Sequence, residues 1–213
     1  MDREYDIIVW GATGFTGRLV VDYMTEQHAN SNLKWAVGGR NPQKLQQMLA
    51  DRDVAMVTAD SGDEASIEAL VRRTRVILTT VGPYARYGSS LVAACAKHGT
   101  DYCDLTGEVH WMREMITAYQ EEAIATGARI VHTCGFDSIP SDLGVYFLQK
   151  HMLSTHGVPA QQIKYRPRAF SGGFSGGTID SMIAMMEKAR EDKSIRSKLA
   201  DPYVLNDAER GLD

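Results

Sequence analysis

Cysteine is scarce: the 213 residues hold only Cys95, Cys103 and Cys134, with no CxxC and no Cys/His cluster. That scarcity argues against a zinc-ligand set or any other metal site, and against a disulfide framework. The expectation is of buried thiols in a reducing compartment. Long apolar runs are absent too, so no segment reads as a bilayer span. The opening MDREYDIIVWG carries acids where a secretory signal carries bases, and it has no small-residue cleavage site. Nor is there a basic excess. The formal net charge is −4, which gives no case for a nucleic-acid partner. A cytoplasmic location is expected, with peripheral membrane or lipid association left open.

What is present is an ordinary globular composition, 44% hydrophobic and 23% charged. Strand-like and helix-like stretches alternate. YDIIVWG (5–11), LKWAVGGR (33–40), DVAMVTAD (53–60), RVILTTVG (75–82), TDYCDLTG (100–107) and ARIVHTCG (128–135) read as short buried strands. Between them, 15–28, 41–52, 63–74, 88–99 and 110–127 read as helices, with Asn41 and Pro42 opening the second and Gly99 and Gly127 closing the last two. Strict alternation with apolar strands calls for a parallel sheet covered on both faces. The fold class is therefore α/β, a Rossmann-type doubly wound sheet, with ligands expected beyond the carboxyl ends of the strands.

After residue 140 the rhythm changes. A helix over 140–153, an alternating strand over 161–170, a glycine-rich loop at 171–178 and a helix over 179–190 precede a polar tail. These make a dinucleotide-binding domain over 1–150, followed by 151–213 as the start of an incomplete α+β second domain.

Six loops follow the expected strands, and their residues carry the chemistry. In GATGFTG, Gly11, Gly14 and Gly17 stand between a strand and a helix, where main-chain N–H groups can approach a pyrophosphate. Thr13, Phe15 and Thr16 complete this loop. A surface turn would use glycine for steric reasons alone, but the first strand–helix junction favours the phosphate reading. The second strand ends in VGGRN, with no acid for a ribose hydroxyl and with Arg40 where a 2′-phosphate would lie. A guanidinium can hold that phosphate in a bidentate manner, so NADP is preferred over NAD. Asp60 and Ser61 fall at the adenine edge, although Asp60 could equally cap the helix near Asp63. Val81, Gly82, Pro83 and Tyr84 form a turn near the expected nicotinamide ribose, with Tyr87 just beyond. DLTGE (104–108) and CGFDSIPSD (134–142) approach from the other side. Tyr84, Glu108 and Asp137 are the candidate catalytic groups, with helix capping the stronger expectation for Glu108.

One motif reads as a decoy. YFLQK (146–150) fits the YxxxK pair of short-chain dehydrogenases, with Thr133 upstream. Tyr146 sits inside the apolar run VYFL, however, so it is read as a core residue.

Taken together, GATGFTG, GGR, AD, VGPY, YCDLTGE and CGFDSIPSDLG resemble the saccharopine dehydrogenase-like oxidoreductases. They are most similar to the branch holding the trans-acting enoyl reductases and the saccharopine dehydrogenase-like oxidoreductase of animals. SGGTIDSM and LADPYVLND extend the resemblance over nearly the whole chain. It implies a longer protein, with a second domain for substrate or dimerisation and hence a homodimer. It also implies an NADP-dependent oxidoreductase that reduces an activated C=C or C=N bond of a small-molecule or lipid-like substrate. A non-catalytic NADP-binding redox sensor and an amino-acid-adduct dehydrogenase are the alternatives. Arg166 and Arg168 are the only local cationic pair that could serve the last.

Overall fold

The computed structural model describes residues 3–169, 171–173 and 175–206. In chain order the first half runs β1 (Tyr5–Trp10), α1 (Phe15–His28), β2 (Trp35–Gly39), α2 (Pro42–Leu49), β3 (Ala55–Thr58), α3 (Glu64–Val71) and β4 (Thr74–Thr79). It continues α4 (Tyr84–Tyr87), α5 (Ser89–His98), β5 (Asp101–Cys103), α6 (Val109–Thr126), β6 (Ile130–Val131), α7 (Ile139–His156), α8 (Gly176–Glu191) and α9 (Lys193–Ala200).

The six strands form one parallel sheet in the order β3-β2-β1-β4-β5-β6. The chain leaves β1 toward one edge and returns to place β4 on its other side, so a cleft opens where the direction reverses. Side chains alternate across the sheet, as the period of a strand requires. Val9 and Val37 pack under α1 and α2 with Val21, Leu45 and Leu49. Ile8, Trp10, Ala36, Ile77 and Tyr102 face the other way, against Ile67 and Leu70 of α3, Leu91 and Cys95 of α5 and Trp111 of α6.

Local signals set most helix ends. Asn41 accepts the N–H of Lys44 at 2.9 Å, Asp63 accepts that of Ala65 at 3.1 Å, and Gly99 and Gly127 close α5 and α6 in left-handed conformation. Asp60 therefore does not cap α3; its Oδ1 accepts the N–H of Gly62 at 2.9 Å.

Several expectations are corrected. β5 ends at Cys103 and β6 holds two residues, because Asp104 and its own carbonyl take up the main-chain N–H groups that a longer ladder would use. The expected strand over 161–170 is irregular at 161–169, and among the described residues this stretch pairs with none of the six strands. Phe170, Phe174 and residues 207–213, parts of the expected strand, loop and tail, lie outside the described residues. The tail contains α9, whose Lys198 pairs with Glu114 of α6 at 3.3 Å. Tyr146 is 64% exposed rather than buried, since α7 buries none of its residues. Of the thiols, Cys95 is buried, Cys103 partly so and Cys134 exposed. No helix of the described residues is long and apolar enough to cross a membrane.

Candidate functional site

A cavity of about 450 Å³ opens above the carboxyl ends of β1 and β4. The glycine loop forms one wall. Gly11 takes φ +90°, a conformation costly for any side chain, and its N–H donates to the carbonyl of Gly38 at 3.0 Å. A Cβ on Gly11 would lie 2.6 Å from Val81 Cγ2, so the loop presses against the segment after β4. Gly17 is buried against the Gly11 carbonyl, which brings α1 close to β1. Gly14 stands at the N-terminus of α1 and brings no side-chain cap. Helix geometry then leaves the N–H groups of Phe15, Thr16 and Gly17 without intrahelical partners, at the positive end of the helix.

The cavity lining gathers twelve of the fifteen expected site residues. Gly11, Thr13, Gly14, Phe15 and Thr16 come from the glycine loop, Arg40 and Ser61 from the ends of β2 and β3, and Val81, Gly82 and Tyr84 from the segment after β4. Glu108 and Asp137 come from the loops after β5 and β6. Gly17, Asp60 and Pro83 do not line it. Arg40 is exposed and has no ion-pair partner among the described residues.

The three candidate catalytic groups stand differently. The Tyr84 ring is buried 5.7 Å from that of Trp111, and its hydroxyl donates to the Thr79 carbonyl at 3.4 Å. Burial first, and then the charge of Asp104, push its phenol well above the usual tyrosine range. Glu108 is buried and leaves its own helix uncapped; it accepts the main-chain N–H groups of Tyr84 and Ala85 instead. That corrects the expectation of capping. Asp137 is an exposed carboxylate on the rim.

Two parts of the site escaped the sequence reading. Ser175, Gly177, Thr178, Ser181, Met182 and Met185 bring the start of α8 over the cavity. There Ser181 Oγ lies 3.3 Å from where a Cβ on Gly82 would stand. The glycine-rich run at 171–178 was the signal, but nothing local says which loop it meets. The other is Asp104, buried, which accepts from Tyr102 Oη at 2.8 Å, Thr106 N at 3.1 Å and Thr133 N at 3.0 Å, and pairs with His132 Nδ1 at 2.7 Å. Among the described residues no group of three or more His, Cys, Asp or Glu could hold a metal ion.

These features suit a dinucleotide: a glycine turn at the first strand–helix junction, open N–H groups at a helix start and a guanidinium at the next strand end. The comparisons agree. The family model of the saccharopine dehydrogenase NADP binding domain matches residues 7–131. The trans-acting enoyl reductase of Mycobacterium bovis is 41% identical over 218 residues, covering 100% of this chain and 51% of the relative. That of Mycobacterium ulcerans is 42% identical over 210 residues, covering 95% and 50%. A Mycobacterium tuberculosis relative is 44% identical over 219 residues, covering 99% and 51%. The chain thus spans about half the length of these relatives. Saccharopine dehydrogenase (L-Glu forming) from Saccharomyces cerevisiae shares the fold, with a TM-score of 0.56 at 18% identity, over 72% of this chain and 32% of that one.

Proposed function

Because the chain belongs to the saccharopine dehydrogenase NADP-binding-domain family, we propose that the whole protein is an NADP-dependent reductase of an activated C=C bond in a small-molecule or lipid-like substrate. One observation carries the reading. A single cavity runs from the glycine loop and Arg40, past Val81 and Gly82, to Met182 and Met185 of α8. The first end suits a phosphorylated dinucleotide, and the second offers an acceptor an apolar wall.

In this reading Gly11, Thr13, Gly14, Phe15 and Thr16 hold the pyrophosphate, with Gly17 setting the approach of α1. Arg40 takes the 2′-phosphate, Ser61 with Asp60 borders the adenine edge, and Val81 to Tyr84 border the nicotinamide. NADPH held by these residues would supply the hydride, and the lining of the cavity would orient the acceptor toward it. Asp137, exposed on the same lining, is the remaining proton-donor candidate, since Tyr84 and Glu108 are both engaged elsewhere. Residues 151–213 begin the substrate or dimerisation domain. The exposed apolar residues Leu153, Ile183 and Met186 support that assignment.

The enoyl reductase naming of the M. bovis and M. ulcerans relatives favours C=C over C=N. An amino-acid adduct would need cationic groups for its carboxylates, and neither Arg166 nor Arg168 lines the cavity. The test is NADPH oxidation by the full-length protein with enoyl thioesters, imines and amino-acid adducts. Turnover of enoyl substrates is the expected result. Tight NADPH binding without turnover of any of them would replace the reductase with a redox sensor, and turnover of the adduct alone would replace the substrate class.

A further inference from the structure

The segment from Thr80 to Pro83, whose first three residues line the cavity, leaves the sheet after Thr80: Thr80 N–H still donates to the Trp10 carbonyl of β1 at 3.0 Å and its hydroxyl to the Gly11 carbonyl at 3.3 Å, but β4 has ended at Thr79. What fixes its far end comes from a different loop. Glu108 is 3% exposed, and each of its carboxylate oxygens accepts one main-chain N–H: Oε1 from Tyr84 at 2.7 Å and Oε2 from Ala85 at 2.9 Å. These are the first two residues of α4, immediately after the segment. On its near side, Val81 N–H donates to Thr79 Oγ1 at 3.2 Å.

Glu108 is itself held in place. Its N–H donates to Thr106 Oγ1 at 3.0 Å, and Thr106 N–H donates to the buried carboxylate of Asp104. Asp104 also gathers Tyr102, Thr133 and His132. A chain of hydrogen bonds therefore runs from His132 and Thr133, just past β6, through Asp104 and Thr106 to Glu108, and from there to the main chain under the cavity. Hydrogen bonds to a carboxylate are among the stronger ones, and in a buried setting each unpaired member costs more than it would in water.

We propose that Glu108 is a positioning residue for the cofactor's nicotinamide half. It acts through the main chain of residues 81–85 and donates no proton to the acceptor. The inference rests on the cofactor placement proposed above and adds what gives that end of the cavity its shape. Glu108→Gln puts an amide NH₂ against a main-chain N–H, two donors face to face, and frees the segment at one point.

The experiment compares two ligands on the full-length protein, wild type and E108Q: NADPH, and 2′,5′-ADP, which carries only the adenosine end. The expected result is NADPH binding weakened roughly tenfold, the scale of one lost charge-assisted hydrogen bond, with 2′,5′-ADP binding unchanged. Equal loss for both ligands would mean a general structural role and overturn the proposal. Unchanged NADPH binding, with turnover lost and one limb of the pH–rate profile gone, would make Glu108 the acid or base and overturn it too. Thr106→Val removes the acceptor for Glu108's own N–H and should shift the two ligands in the same pattern by a smaller factor. It carries the test by the same criteria if E108Q does not fold. Wild type that binds 2′,5′-ADP but not NADPH would remove the cofactor placement, and the inference with it.

Discussion

The main chain of Gly17 lies against the carbonyl oxygen of Gly11 with no room for a Cβ between them. Three residues earlier, a Cβ on Gly14 would stand 3.4 Å from the same oxygen, at φ −72°, a conformation that alanine adopts freely. The two glycines of one loop thus answer to different constraints. Gly17→Ala should destabilise the domain by about 2 to 3 kcal/mol through overpacking. Gly14→Ala should leave the melting temperature near that of wild type while weakening NADPH binding, because its methyl would stand at the open start of α1. Calorimetry and cofactor titration on both variants check this; equal destabilisation by the two would refute the division of roles.

Arg40 stands exposed at the end of β2, on the cavity lining. Arg40→Glu should lower NADPH affinity about 100-fold, by removing a charge-assisted contact and adding a repulsive one. NADH affinity should change only a few-fold. Similar losses for the two cofactors would remove the 2′-phosphate from this residue.

Tyr84 packs its ring on Trp111, and burial raises its phenol pKa, so it is a poor acid near neutral pH. Tyr84→Phe keeps the ring and loses one long hydrogen bond; turnover within about threefold of wild type is expected. Tyr84→Ala opens a cavity beside Trp111 and should lower stability by about 3 kcal/mol. Abolition of turnover by the phenylalanine variant alone would restore Tyr84 as the proton donor.

His110 is 1% exposed, and neither ring nitrogen has a hydrogen-bond partner among the described residues. Burial, and then the charge of Lys188, hold its pKa below the ordinary histidine value; Lys198 acts in the same sense, while Glu108 and Glu114 oppose it. The unfolded chain therefore binds the proton more readily than the folded one. The stabilisation tied to neutral His110 is complete above about pH 6.5 and is lost as the pH falls below it. Urea titrations of wild type should show stability declining from pH 7 to pH 5. His110→Phe should flatten that slope by up to one proton; an unchanged slope would place the titration elsewhere.

How much was legible depends on the range of the cause. α1 occupies the expected 15–28, because an apolar stripe and a glycine turn are local signals. Asn41 and Asp63 cap the helices they precede for the same reason. The expected strand at 161–170 rested on alternation alone, and alternation without a pairing neighbour does not make a strand. α9 was hidden by its polar composition, although Asp192 accepts from Ser194 at its start. Glu108 was misread because its partner is α4, four residues long, which looks like a loop in sequence and which the fold brings in from 23 and 24 positions away. The glycine loop and Arg40 were readable one by one; the arrival of α8 over Gly82 depends on chain far from either.

The reversal of strand order between β1 and β4 has an evolutionary consequence. The cleft above them arises from the path of the chain rather than from any one of its lining side chains. Change is channelled instead into the segments that overhang it, around 80–88 and at the start of α8. If the proposed function holds, such a scaffold would acquire new acceptors by exchanging loops while its strands stay as they are. A graft of either segment from a relative should move substrate preference and leave the sheet intact.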